Sequence, residues 1–342
     1  MFQKRKQIFA VAALAFAASA CSGSSSTPAQ SAPSAGANSG APASAAGAAP
    51  AAPSGNLSMT LIRHGLPSDS FWSPVQKGFT DAGALYGIKT NFVATGNTPG
   101  DEAKAINQAV AQKVSGIVVT LPDAGAEGAA IKAAIAAGIP VVTTNSGASD
   151  YQKVGAITHV GQDEDIAGAG AGTKLKELGL KHVLCVEHQQ GNVALEARCN
   201  GVKKTFGGKV DVLFVPGTGD APGTEAALKA KLLQDTSIDA VLTLDPDISV
   251  LANKAITGAN SKAKLATFDL SSSVLTAIKA GSIQFAINQQ PYVQGYLPVT
   301  LLKLYLDNGN IIGGGLPVLT GPSYVDKDNV DKTIACVQAG RC

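Results

Sequence analysis

The chain has 342 residues, 45% of them apolar and 15% charged, so it can bury a sizeable core and is not a disordered polymer. Its 27 basic and 25 acidic residues leave a net charge of +2, which gives no reason to expect nucleic acid or an acidic partner. Four histidines, and no C-x-x-C, H-E-x-x-H or Walker-type loop, argue against a metal centre or a nucleotide site.

Residues 1–6 carry three positive charges and residues 8–18 form a short apolar run. Ser19, Ala20 and Cys21 follow. A basic start, a short apolar stretch and small residues make an export signal, expected over 1–20. The run is too short for a permanent membrane helix, and later apolar runs are shorter than the ~18–20 residues a span needs. A cysteine directly after small residues resembles a bacterial lipobox, which implies acylation of Cys21 and a membrane contact through the lipid alone. An ordinary cleaved signal with Cys21 incidental is the alternative. Residues 21–56 are read as the lipidated cysteine and a tether. From 22 to 55 almost every residue is Ala, Gly, Pro or Ser, and none is charged or large and apolar. Nothing there offsets the entropy of ordering. Such a chain reaches roughly 30–35 Å.

From residue 57 the apolar period switches between strand and helix. Expected strands are 59–64, 88–95, 116–120 and 141–145, separated by helices at 73–86, 101–113 and 124–137. In the first helix Val75, Phe79, Ala82 and Tyr86 share a face, with Ser73 as its cap and Pro74 in its first turn. The rhythm restarts with helices at 163–178, 192–206, 222–235, 247–258, 272–280 and 291–307. The strands between them are 182–188, 210–216, 240–244, 264–270 and 283–289. Strands separated by helices of this length imply parallel sheets covered on both faces, and two runs imply two doubly wound lobes. Ligands in such folds sit beyond the carboxyl ends of the strands. The polar residues there are His64, Asp123, Asn145, His188, Asp245, Asp269 and Gln289.

With Cys21 assigned to lipid, Cys185, Cys199, Cys336 and Cys342 remain. Four cysteines in an exported chain suggest two disulfides. Three connectivities are possible, and proximity favours Cys185–Cys199 with Cys336–Cys342. Free buried thiols are the other reading.

Five segments in order resemble the periplasmic binding proteins of ribose and galactose type, above all the substrate-binding lipoproteins of carbohydrate ABC importers. They are Ser70-Phe71-Trp72 with Val75-x-x-Gly78 and Ala84-Leu85-Tyr86-Gly87; 116–123 followed by 136–146; 159–168; 266–283; and 285–296. The resemblance covers about 57–330. It implies an α/β fold of two parallel-sheet lobes joined by three crossover strands, with a ligand cleft between them. Lobe one would be 57–161 with 291–319, and lobe two 163–288 with 321–342. It implies no catalysis and no cofactor. The partners would be a small polyhydroxylated solute (pentose, hexose, inositol or linear polyol) and the permease and ATPase subunits of an importer. A lipoprotein that senses the same ligand for a receptor or chemoreceptor fits the same residues.

By the same resemblance, Phe71 and Trp72 form an aromatic platform, with Asp69 a polar contact just upstream. Asp245, Asp269, Gln289 and Asn145 would read ligand hydroxyls. Glu196 occupies a position where the family commonly has an arginine, with Arg198 nearby. Asp123 would replace polarity lost at Leu121, and His64 faces the cleft from the first strand. Arg63-His64-Gly65 also looks like the signature of histidine phosphatases. That chemistry needs further arginines on the phosphate, and beyond the signal only Arg63, Arg198 and Arg341 exist.

Overall fold

A computed structural model describes residues 56–98 and 100–342. The signal, Cys21 and most of the tether lie outside the described residues. Among the described residues no helix is long and apolar enough to cross a membrane.

The first sheet contains β1 (Ser58–Arg63), β2 (Lys89–Ala94), β3 (Gly116–Val119), β4 (Val141–Thr144), β5 (His159–Gly161) and β11 (Val318–Leu319). Their order is β11-β5-β4-β3-β1-β2, all parallel. The second contains β6 (His182–Glu187), β7 (Lys209–Phe214), β8 (Ala240–Thr243), β9 (Lys264–Phe268), β10 (Ile283–Asn288) and β12 (Ser323–Asp326). Their order is β12-β10-β9-β8-β6-β7. Here β12 runs antiparallel to β10, a departure from the expected all-parallel sheet. An edge strand can pair either way because only one neighbour constrains it.

The helices are α1 (Trp72–Tyr86), α2 (Asp101–Ala111), α3 (Ala124–Ala136), α4 (Glu164–Glu177), α5 (Val193–Thr205), α6 (Ala221–Gln234), α7 (Pro246–Gly258), α8 (Ser272–Ala280), α9 (Pro291–Asn308) and α10 (Val330–Gln338). Each sheet is buried on both faces. Leu61, Val118 and Val142 point to one side of the first sheet, packing with Phe79 and Val299. Their neighbours Ile62, Ile117 and Val119 point to the other, against Ile106 and Ile131. In the second sheet Val183, Cys185 and Leu242 face one core while Leu184, Val186 and Val241 face the other. Alternation of side chains along a strand produces this split.

Three details differ from the sequence expectation. The first residue of α1 is Trp72 and its cap is Phe71, without a side-chain bond, so Ser73 lies inside the helix. Tyr86 is 36% exposed at the end of α1, where the helix has run past the core. β5, β11 and β12 were not anticipated, because two to four residues carry too little periodicity to read, and neither was the nine-residue α10.

The chain passes between the sheets three times, from β5 into α4, from β10 into α9, and from β11 into β12. Close helix contacts then set the geometry around the passages. A side chain at Gly168 on α4 would strike the backbone carbonyl of Arg198 on α5. Only glycine lets the two helices approach this far, and that approach brings Arg198 against α4. The structure also pairs Cys185 on β6 with Cys199 on α5, Cα atoms 5.9 Å apart, and Cys336 with Cys342, 5.4 Å apart.

Candidate functional site

The carboxyl ends of β1 and β4 in the first sheet and of β6, β8, β9 and β10 in the second face one cavity, about 350 Å³ of space with its opening to solvent included. From the first sheet come His64 after β1, Asp69, Phe71 and Trp72 from the following loop and helix, and Asn145 with Ser146 after β4. From the second come His188, Gln189 and Asn192 after β6, Arg198 on α5, Asp245 after β8 and Asp269 after β9. Gln289 follows β10 at a passage between the sheets.

Two abrupt turns aim the side chains. Asn145 and Asp269 have φ of 62° and 68°, a left-handed conformation that turns the chain sharply at the end of a strand. The carboxylate of Asp269 accepts from Gln289 Nε2 at 2.8 and 3.0 Å. Gln289 Oε1 in turn accepts from Asn145 Nδ2 at 3.1 Å and from Gln294 Nε2 at 2.8 Å. One amide network therefore couples both lobes and a passage strand. The cap of α8 is Ser271, leaving Asp269 free of that task. Asp245 does cap α7, with one oxygen accepting from the backbone of Asp247 and Ile248 at 2.8 and 2.9 Å.

Arg198 crosses the floor of the cavity. Its Nε and Nη2 donate to the two oxygens of Glu164 at 2.6 and 3.0 Å, and Nη1 donates to the Leu244 carbonyl at 3.2 Å. Nη1 is 3.9 Å from Asp269 Oδ2, and the guanidinium stacks 4.5 Å from the Phe268 ring centroid. Nearby carboxylates hold its pKa above the ordinary value against the effect of burial. It is a fixed cation already paired with Glu164.

Burial pushes the carboxyls of Asp69, Asp245 and Asp269 up to about 7. Arg198 pulls the other way on Asp245 and Asp269, and Arg63 on Asp69. Burial also lowers His64 to about 3 and His188 to about 4, so both imidazoles are neutral. His64 Nδ1 lies 2.9 Å from Thr120 Oγ1, whose own hydrogen goes to Glu102. Nδ1 is then the protonated nitrogen, and Nε2 faces Asn192 Nδ2 at 3.4 Å as an acceptor. His64, expected to face the cleft, thus presents an acceptor on its cavity side.

Trp72 is 3% exposed and Phe71 7%. The two rings meet edge to face at 4.9 Å, and His64 meets Trp72 the same way at 5.0 Å. Both aromatics belong to the core of the first lobe and still line the cavity.

Two expected residues are not brought to it. Asp123 caps α3 through Gly125 and Ala126 and faces a neighbouring cavity. Glu196 is exposed on α5. At ~100° per residue, positions two apart point to nearly opposite sides, so inward Arg198 turns Glu196 outward. Sequence reasoning placed His188 among the strand-end polar residues but gave it no part in the ligand set, and it gave none to Gln189, Asn192 and Ser146. His188 ends a strand at the right edge, and Asn192 was legible as the cap of α5, whose side chain accepts from Ala194.

Arg63 is not available for phosphate. Its Nη1 donates to the carbonyls of His64, Gly65 and Leu66, and its guanidinium lies 5.0 Å from the Trp72 ring centroid. It secures the loop that carries Asp69.

Residues 61–310 match the model of the periplasmic binding protein domain. A carbohydrate transporter from Acidothermus cellulolyticus 11B, solved in complex with myo-inositol, is 45% identical. The match covers 84% of this chain and 99% of that one, with a TM-score of 0.82. The xylose/arabinose-binding protein of Sulfolobus acidocaldarius is 24% identical over 80% of this chain and 71% of its own length. The ribose import binding protein of Haemophilus influenzae is 25% identical over 68% and 80%.

Proposed function

Since the chain belongs to the periplasmic binding protein family, we propose that it captures a neutral polyhydroxylated ring, with myo-inositol the first candidate, and presents it to an ABC importer. Like other members it is a solute-binding protein and not an enzyme, and sugars are the solutes its relatives bind. The observation that carries the ligand class is the meeting of Asp69, Asp245 and Asp269, from both lobes, on one cavity. Carboxylates accept two or more hydrogen bonds each and suit vicinal hydroxyls. Arg198 is held by Glu164, so among the described residues no free cation lines the cavity to call for an anionic ligand. Phe71 and Trp72 offer apolar edges to ring C–H groups.

The same proposal extends to the rest of the chain. The lobes are 57–161 with 291–319 and 163–288 with 321–342, a division supported by the sheet membership of β11 and β12. Cys21 is acylated after export, and the two cysteine pairs are oxidised outside the cytoplasm. Intact-mass analysis of membrane-extracted protein tests the first, and non-reducing peptide mapping the second.

A thermal-shift screen over inositols, pentoses, hexoses and linear polyols tests the ligand class. A solute of micromolar affinity at millimolar concentration stabilises by about 4 kcal/mol through mass action. If no neutral polyol moves the transition, the reading fails.

A further inference from the structure

One hydrogen-bonded chain of side chains runs from the interior of lobe one, past the ligand cavity, into lobe two. It begins at Glu102 on α2, which is 3% exposed. Thr120, just after β3, donates its hydroxyl hydrogen to Glu102 Oε1. The Thr120 oxygen stands 3.0 Å from the backbone N–H of His64 and 2.9 Å from His64 Nδ1. On the cavity side, His64 Nε2 is 3.4 Å from Nδ2 of Asn192, which belongs to the other lobe. We propose that Glu102 and Thr120 are positioning residues for solute capture: they lock His64 in the tautomer that accepts from Asn192, and so set how firmly the two lobes hold each other beside the solute. The proposal rests on the reading of the inner cavity as the place of capture.

Both ends of the chain ask for the same tautomer. A threonine hydroxyl has one hydrogen to give and two lone pairs to fill. The backbone N–H and Nδ1–H of His64 fill the two lone pairs of Thr120, and its hydrogen goes to Glu102. Glu102 is a fit acceptor at Oε1. Burial raises it well above the ordinary range, and the proton it keeps is shared with its neighbour Glu127. That proton sits on Oε2, which has no other partner. At the far end, Asn192 Oδ1 accepts from the backbone of Ala194 at 3.0 Å and from Ser146 Oγ at 3.4 Å, which turns Nδ2 toward His64. An amide nitrogen only donates, so Nε2 must carry its lone pair there. Burial lowers the imidazole to about 3, so it is neutral.

The loop between β6 and α5 also meets lobe one elsewhere. Gln189 Nε2 donates to Asn97 Oδ1 at 2.8 Å, and the backbone N–H of Val193 to the Pro122 carbonyl at 3.3 Å. Neither depends on a tautomer. The contact of His64 with Asn192 does, because a hydrogen on Nε2 would set two donors against each other in a buried wall. His64 and Asn192 both line the ligand cavity, so this seam closes next to the solute. Loosening it should act on release more than on entry.

The test reads the His64 tautomer from nitrogen-15 imidazole couplings, and the release of myo-inositol by stopped flow. Wild-type His64 should carry its hydrogen on Nδ1. Glu102→Gln keeps an oxygen toward Thr120 and an N–H toward Glu127, so tautomer and release should stay as in the wild type. Glu102→Leu removes the acceptor. The Thr120 hydrogen then turns to Nδ1, the imidazole hydrogen moves to Nε2, and release should quicken by about tenfold or more while association changes little. Asn192→Asp keeps the bond to Ala194, places an acceptor against Nε2 and leaves the interior of lobe one untouched; it should quicken release likewise. A wild-type hydrogen on Nε2 would overturn the lock. So would a changed tautomer with unchanged release, or quicker release in both Glu102 variants with the tautomer unmoved, which is the mark of a merely structural role. If Glu102→Leu does not fold, Asn192→Asp decides, and unchanged release overturns the lock. If myo-inositol is not bound, the polyol reading falls, and the tautomers of the free wild type and variants still uphold or overturn the lock.

Discussion

Gln289 Nε2 donates to both carboxylate oxygens of Asp269, at 2.8 and 3.0 Å, and so ties the end of a lobe-two strand to a passage between the lobes. The bond joins ligand reading to lobe geometry. Asp269 without Gln289 would lose its aim and hold its proton more tightly, because the amide donor favours the ionised carboxylate. Asp269→Ala and Gln289→Ala should each weaken binding at least tenfold, measured by calorimetry. The double variant should cost clearly less than the two losses combined, because residues within one network are not independent. Strict additivity would show that Gln289 does not position Asp269.

Arg198 and Glu164 are both buried and linked by two hydrogen bonds. Arg198→Met leaves Glu164 without its counter-charge, which should destabilise the protein by about 3–5 kcal/mol in chemical denaturation. Adding Glu164→Gln removes the stranded charge and should restore most of that stability. Solute affinity should remain low in the double variant, since Arg198 faces the cavity. Full recovery of affinity would mean that Arg198 serves the fold alone.

Affinity should rise with pH between about 5.5 and 8. Asp69, Asp245 and Asp269 stand near 7 in the free cleft, and hydroxyl donors favour their ionised forms. Binding therefore releases protons, and calorimetry in buffers of different ionisation enthalpy should detect them. His64 and His188 stay neutral through this range and contribute nothing to the slope. The linkage also governs stability. The three acids are raised in the folded state, so they lower the stability of the free protein as pH climbs from about 4 to about 7. The two histidines are depressed and act oppositely, raising stability from about 4 to about 6.5. Ligand cancels only the acid contribution, so its stabilising effect should be larger at pH 8 than at pH 5.5. An affinity independent of pH would remove the carboxylates from the ligand.

Trp72 is the only tryptophan, and it lies between the core and the cavity. Solute should change its emission. Trp72→Ala should lose about 3–5 kcal/mol of stability as well as affinity, because the ring is buried. Trp72→Phe should keep most of the packing, so a retained fold with weakened binding separates the two roles. Unchanged emission at saturating solute would place the ligand elsewhere.

Reducing agent should destabilise the protein chiefly through Cys185–Cys199, which links β6 to the helix bearing Arg198. A closed loop of about 15 residues corresponds to about 3 kcal/mol by chain entropy. The Cys185→Ala/Cys199→Ala variant should melt lower and bind more weakly, whereas Cys336→Ala/Cys342→Ala, in a shorter loop at the end of the chain, should change less. Equal effects from both would contradict this ranking.

Periodicity alone determined the alternating strands and helices and their two-run organisation. Buried strands such as 116–119 and helices such as α3 declare themselves through neighbours in sequence, which is where secondary-structure preferences act. The strand-end rule also reached Asn145, Asp245, Asp269 and Gln289, since the carboxyl edge of a parallel sheet is a local property of each strand. Tertiary structure decided what those residues do. Whether a carboxylate caps a helix, reads a ligand or does both depends on partners far along the chain. Asp123 is spent on α3, Asp245 divides its oxygens, and Asp269 is released by Ser271 and taken up by Gln289. Likewise, only the close approach of α4 and α5 at Gly168 turns Arg198 inward and Glu196 outward. Titration follows the same rule, because the desolvation that raises Asp69, Asp245 and Asp269 arises when two lobes, each built from distant segments, close over the same space.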